Sequence, residues 1–104
     1  MYTWAESKNL DNKRKHGFYI SDIVDVFDDP HLLEIYDAAH SSPGEDRYIN
    51  IGRFHGATIL FVVTTDRESG DTRIISARKA TPKEQEAYND HYGKSAYRGR
   101  NRGF

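Results

Sequence analysis

The sequence predicts one α+β domain: an antiparallel sheet of three to four strands, with two N-terminal helices and one C-terminal helix packed on it. Three observations predict it. Glu6 to His16 is polar and helix-compatible, and a short second helix with an apolar stripe follows it and stops at Asp28-Asp29-Pro30. Three β-rich runs then follow between Arg47 and Ala80, joined by short Gly-containing turns. A capped helix start stands immediately behind them at Thr81. Short links between sequential strands favour antiparallel pairing.

Glu6 to His16 reads as the first helix, and Gly17 fits the position just past its end. Lys8, Asn12, Lys15 and His16 fall near one another on its surface by the i, i+3, i+4 rule. Ser21 is placed to cap a short second helix with Ile23, Val24 and Phe27 as its apolar stripe. Leu32 to Tyr36 reads as a short edge strand, and His40 to Glu45 as a loop. Arg47 to Phe54 alternates, with Ile49 and Ile51 on one face. Ala57 to Thr65 contains Ile59-Leu60-Phe61-Val62-Val63, a continuous apolar run suited to a central strand covered on both faces. Glu68 to Asp71 makes a hairpin turn into the last strand, Thr72 to Ala80. Strict alternation there groups Arg78 with Ile74 and Ser76, and Arg73 and Lys79 with Ile75 and Ala77. Thr81 as N-cap, Pro82 at the first helical position and Glu84 three residues on form a capping box for the last helix, which Gly93 should end.

The 104 residues suffice for one compact domain and not for two. Residues 1–93 form the expected domain, and 94–104 a basic, disordered tail. That tail holds Lys94, Arg98, Arg100 and Arg102 and no acid, so of a net charge of −1 it carries +4 and the rest −5. A uniformly basic nucleic-acid surface is thereby excluded for the body, but a local basic site is not. There is no Cys, which removes disulfides, thiolate metal sites and cysteine nucleophiles. No apolar run approaches the roughly 18 residues of a membrane span, and the N-terminus lacks a signal peptide's apolar segment. The expectation is a cytoplasmic protein with no membrane association.

The five histidines, His16, His31, His40, His55 and His91, form neither an HxH nor an HExxH pair, so no metal site and no cofactor is expected. Asp25, Asp28, Asp29, Glu34 and Asp37 make an acidic stretch, read either as solvated surface or as a docking face. Arg47, Arg67, Arg73, Arg78 and Lys79 lie on or beside adjoining strands. They are ordinary strand-surface charge paired with Glu45, Asp66 and Asp71, or a phosphate site. A strand end beside a rigid helix start is a place where fixed cations can meet the charge of a phosphodiester transition state.

Taken in order, Trp4, Lys8-Asn9, Asn12, Lys15-His16-Gly17, Val26-Phe27-Asp28-Asp29-Pro30, Glu45 with Arg47, Ile51-Gly52, Val63-Thr64, Arg67, Arg73 to Arg78, Ala80-Thr81, Glu84 and Tyr88 resemble the BrnT toxin family over about residues 2 to 92. The resemblance implies a RelE-like fold and a bacterial type II toxin, a ribonuclease that inhibits translation. It also implies a ribbon-helix-helix antitoxin similar to BrnA, which neutralises the toxin and alone contacts operator DNA. A 2:2 heterotetramer is expected. The family usually has Asp after the early Trp. Here Ala5 stands in that place, so the first helix should fray or start later, at Ser7.

On this reading the chain is a metal-independent endoribonuclease whose RNA substrate supplies its own 2′-hydroxyl nucleophile. Arg78 and Arg67 are the first candidates for phosphate stabilisation, with Arg47 and Lys79 next. Glu45 and His16 are both candidates for base or acid, and the sequence does not choose between them. Arg73, Lys79, Lys15 and Lys8 are candidates for RNA binding. The rival readings are a non-catalytic, antitoxin-binding co-repressor and a small RNA-binding module that uses the basic tail.

Overall fold

The structure, a computed structural model, describes the backbone of residues 1–101, with side chains as far as Lys94. The elements are β1 (Tyr2–Thr3), α1 (Glu6–His16), two 3₁₀ turns (Ile20–Asp22 and Val24–Asp28), β2 (Leu33–Tyr36), β3 (Arg47–Phe54), β4 (Thr58–Asp66), β5 (Thr72–Lys79) and α2 (Pro82–Asn101). The sheet order is β1-β5-β4-β3-β2.

The sheet therefore has five strands rather than three or four, and it is mixed rather than antiparallel. The extra strand is β1, which runs parallel to β5 with Tyr2 opposite Thr72 and Thr3 opposite Arg73. Two residues are too few to show any period, so only the pairing reveals it. The strands from β2 to β5 form the expected antiparallel meander, with β2 at the edge.

Helix α1 starts at Glu6, with Ala5 as an N-cap that supplies no side-chain bond, so the later start at Ser7 is not what happens. The buried side chains Asn9 and Asn12 hold it instead. Asn12 donates to the carbonyls of Phe18 and Ala77, both at 2.8 Å, and accepts from the Ala77 N–H at 3.0 Å. Since β1 pairs only with the start of β5, the Asn12 amide does for Ala77 what a neighbouring strand would do. Gly17 ends α1 in the left-handed region, φ 84°, its N–H bonded to the Lys13 carbonyl.

The second expected helix is two 3₁₀ turns. Ile20, Ile23 and Val26 are spaced by three and are all fully buried. Three residues per turn puts such a set on one line, which an α-helix would spread. Ser21 does not cap the segment either: it lies inside the first turn, and its Oγ accepts from Asn9 Nδ2 at 3.4 Å.

Strand β5 carries a bulge. Val63 pairs with Ser76 and Thr64 with Ile74, leaving Ile75 as an extra residue. Strict alternation fails there: Ile74 and Ala77 share the buried cluster with Ile20, Ile23, Val26, Leu60 and Val62. Arg78 keeps company with Ser76 but not with Ile74. The capping box forms as expected, with Thr81 N–H to Glu84 Oε1 at 2.8 Å and Glu84 N–H to Thr81 Oγ1 at 3.2 Å. Gly93 does not end α2, which continues to Asn101. One helical glycine costs about 1 kcal/mol, too little to force a stop without a left-handed turn or a proline. The last part of the expected tail, 102–104, lies outside the described residues.

One sheet face is covered by α1 and the 3₁₀ turns. On the other, α2 covers only one end, where fully buried Tyr88 packs with Ile51, Ile59 and Ala80. The rest of that face is open and forms the floor of a cleft. Among the described residues no helix is long and apolar enough to cross a membrane.

Candidate active site

Ile49 of β3, Phe61 and Val63 of β4 and Ile75 of β5 line a cleft of about 350 Å³ on the open face. Around this apolar floor stand Arg47, Ser76, Arg78, Asp37 and His40. Arg47 and Arg78 come from strands on either side of β4, so the sheet itself sets their separation.

Arg78 is held from two sides. Its Nη1 and Nη2 donate to the two Glu84 carboxylate oxygens at 2.8 and 3.0 Å. Its guanidinium carbon lies 4.0 Å from the centre of the Phe61 ring. The hydrogen bond with Glu84 raises the Arg78 pKa above its ordinary value, and the same bond lowers that of Glu84. Glu84 thus serves both the helix cap and the arginine. Arg47 donates through Nε to Glu45 at 3.1 Å.

The loop between β2 and β3 is tied to β3 next to Arg47. Asp37 N–H donates to the Arg47 carbonyl at 2.9 Å. Ser41 Oγ accepts the Arg47 N–H at 2.9 Å and donates to the Asp37 carbonyl at 2.7 Å. The Asp37 carboxylate, 13% exposed, then lies 2.8 Å from Nδ1 of His40, whose ring is 71% exposed.

The sequence candidates divide into groups. Arg47 and Arg78 share the cleft, and Glu45 joins them through its bond to Arg47. Lys8, Lys15 and His16 line a neighbouring cleft with Asp11 and Asn12, on which Ile75 and Ser76 also border. Lys15 is bound to Asp11 at 3.1 Å, and Arg14 pairs with the same carboxylate. Arg67 and Glu45 line a third hollow at the β4–β5 turn, among Asp66, Glu68 and Ser69. Arg73 sits opposite Thr65 in the ladder and lines none of these three hollows. Lys79 is exposed and, one residue beyond Arg78, has the opposite strand parity.

The acidic stretch is not one surface. Asp29 is structural: its carboxylate accepts from the N–H groups of His31 and Arg53 and from the Tyr88 hydroxyl, the last at 2.6 Å. Burial alone raises the Asp29 pKa, but these bonds overcome it and leave it below the ordinary carboxylate value. Asp25 approaches His55 at 3.3 Å, and Asp37 belongs to the cleft.

Asp37, His40 and Ser76 are the residues that sequence reasoning passed over as site members. Their signal is faint: an Asp-x-x-His spacing inside a Ser/Pro/Gly-rich loop, and a serine beside a bulge. Among the described residues no three His, Asp or Glu side chains gather as metal ligands. What the cleft offers chemically is two fixed guanidinium groups, an imidazole–carboxylate pair and an apolar floor on which a base can lie.

Residues 4–84 match the family described as the ribonuclease toxin BrnT of type II toxin–antitoxin systems. No curated protein matches the chain. Among solved structures it is similar to the 1.1 Å crystal structure of the Brucella abortus ribonuclease toxin BrnT, with a TM-score of 0.63 and 29% identity over 78% of this chain and 97% of that one. The matched span covers most of the chain and the fold is similar as well, and the chain belongs to the BrnT family of type II ribonuclease toxins.

Proposed function

We propose that this toxin cleaves RNA in the Arg47–Arg78 cleft, without a metal ion, by attack of the substrate's 2′-hydroxyl on the adjacent phosphorus. The observation that carries the reading is Arg78, whose guanidinium is immobilised by Glu84 and Phe61 at the wall of an open cleft that also holds Arg47. A preorganised cation is worth most where charge develops, on the equatorial oxygens of the pentacovalent phosphate. Arg67, at the neighbouring turn, and Lys8, Lys15, Arg73 and Lys79 act on the RNA backbone further from the reacting bond. His16 borders the adjoining cleft and stabilises the end of α1, where a cation is favoured by the helix dipole.

RNA cleavage of this kind inhibits translation in the cytoplasm, and a ribbon-helix-helix antitoxin relieves it in a 2:2 complex. Two features support such a partner: the β2 edge, where Ile35 and Tyr36 are 41% and 52% exposed, and the charge of −5 on the body of the chain. Operator DNA is contacted through that antitoxin.

The decisive experiment is cleavage of a short RNA by antitoxin-free protein in EDTA, with analysis of the ends. Products bearing 2′,3′-cyclic phosphate and 5′-hydroxyl termini are expected. Activity that disappears with chelator and returns with a divalent ion overturns the mechanism. For the partner, co-expression with a ribbon-helix-helix protein encoded beside this gene should give one peak with the mass of two copies of each chain. Separate elution with growth arrest unrelieved overturns that part.

A further inference from the structure

We infer that His40, oriented by Asp37, is the general base that activates the 2′-hydroxyl. The inference rests on the assignment of the Arg47–Arg78 cleft as the cleavage site. Of the described residues lining that cleft, His40 alone carries an imidazole. Its Nδ1 lies 2.8 Å from Oδ2 of Asp37. A carboxylate can only accept, so in the neutral ring the proton sits on Nδ1 and the lone pair on Nε2. This is the arrangement by which an acidic residue sets the tautomer of a catalytic histidine.

The supports are fixed and the working end is free. Asp37 is 13% exposed and anchored through its N–H to the Arg47 carbonyl, while the His40 ring is 71% exposed and open to substrate. The charged groups that share the cleft with the ring are Asp37, Arg47 and Arg78, and the two arginines are paired with Glu45 and Glu84. Ser41, which ties the loop to β3, holds the Asp37 carbonyl in place. The other candidate bases are less suited. The Glu45 carboxylate is engaged by Arg47, and His16 borders the neighbouring cleft beyond Ile75 and Ser76.

In the step, the 2′-oxygen attacks phosphorus and its proton passes to Nε2, giving an imidazolium that Asp37 stabilises. The bond from phosphorus to the 5′-oxygen breaks. The leaving oxygen takes a proton from solvent, and the imidazolium returns its own to solvent. The products are a 2′,3′-cyclic phosphate and a 5′-hydroxyl. No other reactant is required.

The test is the pH dependence of kcat/KM on a short RNA in EDTA, for the wild type, His40→Gln and Asp37→Asn. The wild-type rate should rise with pH and then level off, as it does when a catalytic base must be free of its proton. His40→Gln should lose about 10²–10⁴-fold in rate, the range typical of a lost proton-transfer group, and its residual activity should lack that rise. Its thermal midpoint should be unchanged, since the ring is exposed. Asp37→Asn should be slowed, with the rise still present, because the imidazole remains but its tautomer is no longer imposed. A substrate with sulfur in place of the 5′-oxygen needs no acid, so it should not rescue His40→Gln.

Full activity in His40→Gln, a residual rate that keeps the same pH rise, or rescue by the sulfur substrate each overturns the base assignment. Arg47→Ala and Arg78→Ala, run in parallel, separate the two levels of the argument. If they cleave normally, the cleft itself is wrong. If they are inactive while His40→Gln is intact, only the base is wrong.

Discussion

Replacing Arg78 tests the site most sharply, because its costs in stability and in rate are of different size. Arg78→Ala removes a bidentate pair with Glu84 whose side chains are 34% and 22% exposed, together with a stack on Phe61. A partly exposed ion pair contributes about 0.2–1 kcal/mol. A cation over an aromatic face adds about 0.5–1 kcal/mol. Glu84 is not orphaned, because it keeps the Thr81 N–H at 2.8 Å. The sum, about 0.7–2 kcal/mol, corresponds to a fall of roughly 3–16 °C in the thermal midpoint for a domain of this size. From a total of about 5 kcal/mol, at the low end for domains, that still leaves the protein roughly 99% folded. Unfolding therefore removes about a hundredth of the activity. Loss of a preorganised cation removes about 10²–10³-fold. Single-turnover cleavage of a short RNA in EDTA, alongside a thermal melt, reads both. Arg78→Lys should remain well below wild type, since lysine keeps the charge but not the planar fork. A folded Arg78→Ala protein that cuts within threefold of wild type refutes the phosphate site. A midpoint lowered by more than about 20 °C refutes the stability estimate.

Other outcomes follow from the same geometry. Asn12→Leu orphans the N–H and carbonyl of Ala77, at about 1–3 kcal/mol each, so its melting midpoint should fall by more than about 10 °C; an unchanged melt would mean that the β5 edge is satisfied in some other way. Glu84 and Asp29 both have lowered pKa values in the folded chain, so their contribution is present in full above the ordinary carboxylate range and is lost as pH falls from there through the lower folded-state values. Urea midpoints measured from pH 6 down to pH 3 should decline, and the Asp29→Asn, Glu84→Gln double variant should decline less steeply. A chain ending at Gly93 should fold and keep most of its cleavage at physiological salt, losing only the salt-sensitive attraction of four cations for RNA; loss of cleavage with folding intact would move the site to the segment after Gly93.

The core strands were legible because their signals are local and repeated. The apolar run at Ile59 to Val63, the alternation around Ile49 and Ile51, and the turn at Gly70 each stand out without knowledge of the rest. The capping box at Thr81 and Glu84 and the left-handed Gly17 are equally local. What could not be read depends on partners. Strand β1 exists only through its pairing with β5, and the 3₁₀ turns through a spacing of three that a helical template hides. Asp37 and His40 meet in a loop, where no period operates.

The bulge at Ile75 bears most on function. Counted by strict alternation from buried Ile74, the core side of β5 would receive Ser76 and Arg78, and Ala77 would face the cleft. The extra residue reverses the parity beyond it. Ala77 is then fully buried, and Arg78 is delivered to the open face at Phe61. Burying an unpaired guanidinium in that core would cost several kcal/mol, whereas the alanine fits beside Leu60 and Val62 without strain. The apolar pattern of the following residues therefore favours the bulge, and the bulge places the arginine where Glu84, arriving one helical turn later, can hold it. Arg67 stands outside both strands, on the turn between β4 and β5, and lines a separate hollow. The inserted residue thus accounts for Arg78 reaching the cleft, and the turn accounts for Arg67 standing apart from it.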